Sequence, residues 1–114
     1  GTNPQEMLEV RFMLETVALD LLTSEPPLQE DLEKALALSD QGDDAGFHLQ
    51  LIRTARNSSF EKLCEPFINN QPSDPFAEKS AKQIAEEHQA YIHAIKAGDR
   101  ELAKQLLKRH LGLT

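Results

Sequence analysis

Residues 88–110 read HQAYIHAIKAGDRELAKQLLKRH, with Gly98-Asp99 near the middle. Glycine ends helices and aspartate caps them, so this pair closes one helix and opens the next. Before the turn, Ile84, His88, Tyr91, Ile92 and Ile95 share a helical face. After it, Ala103, Leu106, Leu107 and His110 do the same. The stretch is therefore a helical hairpin. His88 and His110 flank the bend almost symmetrically. At about 1.5 Å per residue, each lies roughly 15–18 Å from it, so the two histidines come level on the inward side.

The rest of the chain follows the same pattern, and six helices account for it with no convincing strand. Helix one runs from about Pro4 to Thr23, ahead of Pro26-Pro27. Helix two spans about Pro27 to Ser39 and stops near Gly42. Helix three is capped by Asp43 and extends to about Arg56, with Asn57 as a helix stop. Ser58 and Glu61 form a capping box for helix four. A loop covers Gln71 to Pro75, in which Asp74 as cap and Pro75 as first residue start helix five. Helix six runs from the Asp99 cap to about Leu111. The expected fold is an all-α, six-helix antiparallel bundle.

A length of 114 residues fits one domain with one modest core. With 19 acidic and 12 basic residues the formal charge is -7, which disfavours nucleic-acid binding by this chain itself. Cys64 is the one cysteine, so no internal disulfide can form, compatible with a reducing, cytoplasmic setting. No apolar run has the length of a membrane span. Gly1-Thr2 reads as a cloning remnant, and the chain as one domain of a longer protein.

Helix three carries the other half of a candidate site. Asp44, Phe47, His48, Leu51 and Ala55 line one face, with Asp44 and His48 four apart. Three imidazoles and a carboxylate on inward stripes suit a divalent metal such as zinc, nickel, manganese or iron, with room left for a ligand. The alternative is that the histidines merely pack in a plain helical interaction domain. A metal-dependent hydrolase is a further reading. Against it, no HExxH occurs, and Glu87, the nearest candidate base, falls off the inward face. His93 shares its side with Gln89 and Lys96 and reads as solvated, as do Arg53 and Arg56.

Helix one places Arg11 in its apolar stripe, among Leu8, Leu14, Ala18 and Leu22, beside Glu15. A buried guanidinium needs a partner. Arg11 could hold a carboxylate ligand, or it could pair with Glu15 at i, i+4. Tyr91 is a possible ligand donor or a core tyrosine. Asn57 is a binding group or only a helix stop, and Cys64 reads as packing.

Glu9-Val10-Arg11 with Leu14-Glu15, Asp44 followed by Phe47-His48, Ala55-Arg56-Asn57, Glu87-His88, Ala94 to Asp99, and His110-Leu111 occur in an order that resembles the FCD family. That family is the ligand-binding, C-terminal domain of FadR-type regulators in the GntR superfamily. The resemblance covers nearly the whole chain. It implies a bundle with a central metal and ligand cavity, the metal held by Asp44, His48, His88 and His110. It also implies a small organic acid as effector, bound beside the metal near Arg11. Operator DNA would be contacted by an N-terminal winged helix-turn-helix, absent from residues 1–114, in a full-length homodimer. The links from helix two to Asp44 and from Asn57 to His88 are shorter than in relatives, and these segments wall the cavity.

Overall fold

A computed structural model describes residues 3–70 and 78–113. The helices are α1 (Pro4–Ser24), α2 (Gln29–Asp40), α3 (Asp44–Arg53), α4 (Ser58–Asn69), α5 (Ala81–Lys96) and α6 (Arg100–His110). No strand occurs among the described residues. α2 pairs with α3, and α5 pairs with α6. α1 packs against α4, α5 and α6, and α2 reaches α5. The all-α bundle expected from the sequence is the observed fold.

Two Gly-Asp pairs position the hairpins. At the end of α5, Gly98 has φ 69°, the left-handed conformation that costs glycine little. Its N–H donates to Ile95 O, and the Asp99 N–H donates back to Ala94 O. This pair of hydrogen bonds satisfies carbonyls that the helix end leaves open. The Asp99 carboxylate then accepts from Leu102 N and starts α6. Gly42-Asp43 repeats the device: Gly42 (φ 79°) ends α2, and Asp43 accepts from Gly46 N to open α3. Asp44 is thereby the first residue of α3.

Several boundaries differ from the sequence expectation. α2 starts at Gln29 rather than Pro27, because Leu28 stays extended (ψ 147°) and its carbonyl receives the first helical bonds. α3 stops at Arg53, not Arg56. Thr54, Ala55 and Arg56 each donate three residues back, which tightens the chain into Arg56 at φ 58°. The capping box at Ser58 and Glu61 is replaced by Asn57, whose side chain accepts from Phe60 N. Asn57 is thus the start signal of α4 rather than the stop of α3. α5 begins at Ala81 under a Ser80 cap that accepts from Gln83 N. The proposed start at Asp74-Pro75, with the loop from Gln71, lies outside the described residues.

The core is aliphatic, built on residues such as Leu19, Leu32, Ile52, Ile95 and Leu107. The polar side chains buried within it are Arg11, Glu15, Ser39, His48, His88 and His110. Burying so many polar groups costs several kcal/mol unless they satisfy one another, which makes their arrangement the central feature of the molecule.

Candidate metal centre

Asp44 sits at the N-terminus of α3, where the helix dipole favours negative charge. His48 lies one turn on, His88 is in mid-α5, and His110 is the last residue of α6. The hairpin brings the last two level, with ring centroids 4.9 Å apart. His48 lies 5.3 Å from His88 and 5.1 Å from His110. All three Nε2 atoms face one oxygen, Asp44 Oδ1, at 2.7 Å from His88, 2.8 Å from His110 and 3.4 Å from His48. One donor atom from each of the four residues lies within 4.8 Å of the others, so the group could hold a metal ion.

The opposite edge of every ring is anchored. His48 Nδ1 is 2.7 Å from Glu15 Oε1, and His110 Nδ1 is 2.7 Å from Glu87 Oε1. A carboxylate accepts only, so both rings carry their proton on Nδ1. In its neutral form each such ring turns the Nε2 lone pair toward Asp44. Two acceptors facing one another need positive charge between them, from a proton or a cation. His48 Nε2 is buried without a hydrogen-bond partner among the described residues. His88 Nδ1 meets Ser39 Oγ at 2.6 Å. A hydroxyl can donate or accept, so His88 can present either tautomer without losing this bond. Phe47 stacks on the His88 ring at 3.9 Å and limits its rotation. Anchored Nδ1 edges with Nε2 atoms converging on a carboxylate suit zinc, nickel, manganese or iron.

The sequence does not announce Ser39, nor the roles of Glu87 and the second Glu15 oxygen as ring anchors. Glu87 was placed off the inward face. Its side chain nevertheless reaches His110, with Oε1 2.7 Å from Nδ1. Glu87 and His110 are equidistant from the Gly98-Asp99 turn, a spacing that marks them as cross-hairpin neighbours. Ser39 meets His88 across 49 residues, and no local spacing could have announced that contact.

Arg11 is 0% exposed, and it makes the i, i+4 pair with Glu15 that its spacing allows. Its Nε donates to Glu15 Oε2 at 2.7 Å. Its Nη1 and Nη2 have no hydrogen-bond partner among the described residues, although Nη2 lies 3.5 Å from Asp44 Oδ2. Tyr91 is buried, with its ring 6.0 Å from that of His48. Asn57 stands apart, exposed at the α4 cap. Cys64 is buried in the core, and His93 is exposed. A groove of about 290 Å³ between α5 and α6 reaches the cluster at Glu87 and His110. A separate cavity of about 380 Å³ lies between the α1–α2 link and the end of α3 and touches none of the four residues.

Burial by itself raises the pKa of Glu15, but the charges of His48 and Arg11 and their hydrogen bonds outweigh it, bringing the carboxyl from 4.5 to about 2. The same contest holds Asp44 well below the usual carboxylate range: burial is overcome by the charge of His48 and the hydrogen bonds of the three histidines. Burial lowers His48, yet Glu15 and Asp44 outweigh it and hold the ring above 6.5. Burial, aided by the charges of His48 and His110, pushes His88 down from 6.5 to about 4 against its bond to Asp44.

These directions set the acid response of the metal-free protein. Unfolded His88 takes up a proton before the folded form does, so stability falls as pH drops from 6.5 toward 4. The contribution of Glu15 is complete above 4.5 and is lost toward 2. The raised His48 contributes below 6.5 and loses that contribution as pH rises through its folded pKa. Unfolding free energies from urea titration across the acid range should therefore decline from about pH 6.5, by up to about 1.4 kcal/mol per pH unit for each proton. His88→Gln should remove the upper part of that decline. An identical pH profile for the variant would contradict the assignment.

Among the described residues, the buried polar side chains of this helical bundle gather around a His–Asp cluster beside an arginine, a group that could hold a metal ion. The family of the chain follows from comparison with known proteins. The FCD domain model matches residues 6–113, and the chain belongs to that family. FCD domains are the effector-binding regulatory domains of GntR-type transcription regulators. No curated protein and no solved structure matches the chain. No helix of the described residues is long and apolar enough to cross a membrane.

Proposed function

We propose that this domain senses a small organic acid at a divalent metal held by Asp44, His48, His88 and His110. The parent regulator would contact operator DNA through an N-terminal winged helix-turn-helix outside this chain and work as a cytoplasmic homodimer. The observation that carries this reading is the set of three anchored imidazoles whose Nε2 atoms converge on Asp44 Oδ1. A bound divalent cation supplies the positive charge on which a carboxylate oxygen is held.

The chain's own residues supply orientation and coupling. Arg11 has Nη1 and Nη2 to offer a carboxylate in a dry setting, where charge-assisted bonds are strong. Tyr91 walls the same side. Asn57, occupied as a cap, would reach an effector only if α4 shifted. Glu15 joins the two halves, accepting from Arg11 on one oxygen and from His48 on the other. The metal-binding side chains belong to α3, α5 and α6, and Arg11 belongs to α1. Effector binding would draw those helices together, and α1 is the element that follows the DNA-binding module in the intact regulator. The resulting bias on operator affinity is bounded by the effector's differential affinity for the two states.

Calorimetric titration of the zinc-loaded protein with a panel of small organic acids tests this. Arg11→Met should weaken acid binding about tenfold to a hundredfold, the worth of charge-assisted bonds, and leave zinc content unchanged. Equal acid affinity in the variant would reduce Arg11 to the partner of Glu15.

A further inference from the structure

Lys79, one residue before the Ser80 cap of α5, grips His110 at two points. Its Nζ donates to the His110 backbone carbonyl at 2.9 Å and to Glu87 Oε1 at 2.8 Å. That same Oε1 accepts from His110 Nδ1 at 2.7 Å. One ammonium therefore holds both the main chain of a candidate metal-binding residue and the carboxylate that orients its ring.

The three histidines differ in how much support they have without such a grip. His88 lies in mid-helix between Phe47 and Ser39. His48 is held by Glu15, which is 3% exposed. His110 is the last residue of α6, where carbonyls lack intrahelical partners and helices fray. Its anchor Glu87 is 28% exposed, so its carboxylate has water as an alternative partner. A cation at the C-terminus of α6 opposes both tendencies: it satisfies a terminal carbonyl, complements the helix dipole, and keeps Glu87 turned inward.

We propose that Lys79 is a positioning residue for His110, setting its ring through Glu87 and its backbone through the α6 terminus. The inference rests on the metal reading for its consequence, since a ligand whose orienting partner is lost binds metal more weakly. Its structural part, the hold on the His110 ring, is measurable in the metal-free protein.

The test compares wild type, Lys79→Met and Lys79→Arg by zinc affinity, in competition with a chromogenic chelator, and by the NMR signal of the His110 Nδ1–H in metal-free protein. Lys79→Met should weaken zinc binding by about tenfold to a hundredfold and move or broaden the His110 ring signal. Its thermal midpoint should stay near that of wild type. Lys79→Arg, which keeps charge and donors, should restore both readouts. Wild-type zinc affinity in Lys79→Met, or weakened affinity with an unaltered ring signal, would overturn the proposal. Absence of zinc binding by wild type would instead remove the metal reading, while the ring signal would still decide whether Lys79 holds His110.

Discussion

Glu15→Leu is expected to destabilise the protein by about 3–5 kcal/mol, the cost of leaving one member of a buried ion pair behind. The thermal midpoint should fall by roughly 10–20 °C for a domain of this size. Arg11 is 0% exposed, and among the described residues its hydrogen bond is to Glu15. The same substitution strips His48 Nδ1 of its acceptor, leaving two buried donors orphaned at once. The double variant Arg11→Leu/Glu15→Leu should regain the part of the loss that comes from the stranded guanidinium, because replacing both members of a buried pair with apolar residues is often neutral or stabilising, while His48 Nδ1 stays without its acceptor. Urea unfolding of the three proteins decides the matter. A single variant within about 1 kcal/mol of wild type would mean that Arg11 finds water or another partner, and that the Arg11–Glu15–His48 chain does not hold the interior together.

That chain explains why the sequence could be read part of the way. Asp44 and His48 at i, i+4, and His88 and His110 balanced about Gly98-Asp99, are consequences of helix geometry alone. Local spacing was enough to form each pair, but the meeting of the two pairs, across 44 and 66 residues, is tertiary. The caps at Asp43 and Asp99 were equally visible, because a glycine followed by an aspartate has few other uses. Arg11 was legible as an anomaly, a charge in an apolar stripe. Spacing alone cannot separate its two readings, because a guanidinium has donors enough for both: Nε serves Glu15, while Nη1 and Nη2 have no hydrogen-bond partner among the described residues. The orienting groups were not legible. Ser39 and Glu87 act through contacts that form only once α2 lies on α5 and α5 on α6. Asn57 was misread for a different reason. Asparagine suits both ends of a helix, and the choice fell to Arg56, whose turn at φ 58° leaves Asn57 extended at the start of α4. Lys79 gave no signal at all, since one lysine before a serine cap resembles any solvated residue.

The second large effect concerns the cluster itself. Three Nε2 atoms surround Asp44 Oδ1 in the interior of the bundle, and His48 Nε2 has no hydrogen-bond partner among the described residues. A cation that binds the folded chain and not the unfolded one should stabilise it by about 2.7 kcal/mol at a hundredfold excess over its dissociation constant. Asp44→Asn removes the shared carboxylate but keeps its shape, so this gain should vanish while the helical fold survives. His110→Ala should reduce it further than any change at exposed His93. The most direct measurement is the metal content of purified protein after dialysis against zinc, nickel or manganese, taken with its melting temperature. One ion bound per wild-type chain, with a raised melting temperature, and none bound to Asp44→Asn, is the result expected. A wild-type chain that retains no ion and melts at the same temperature with and without metal would contradict the account.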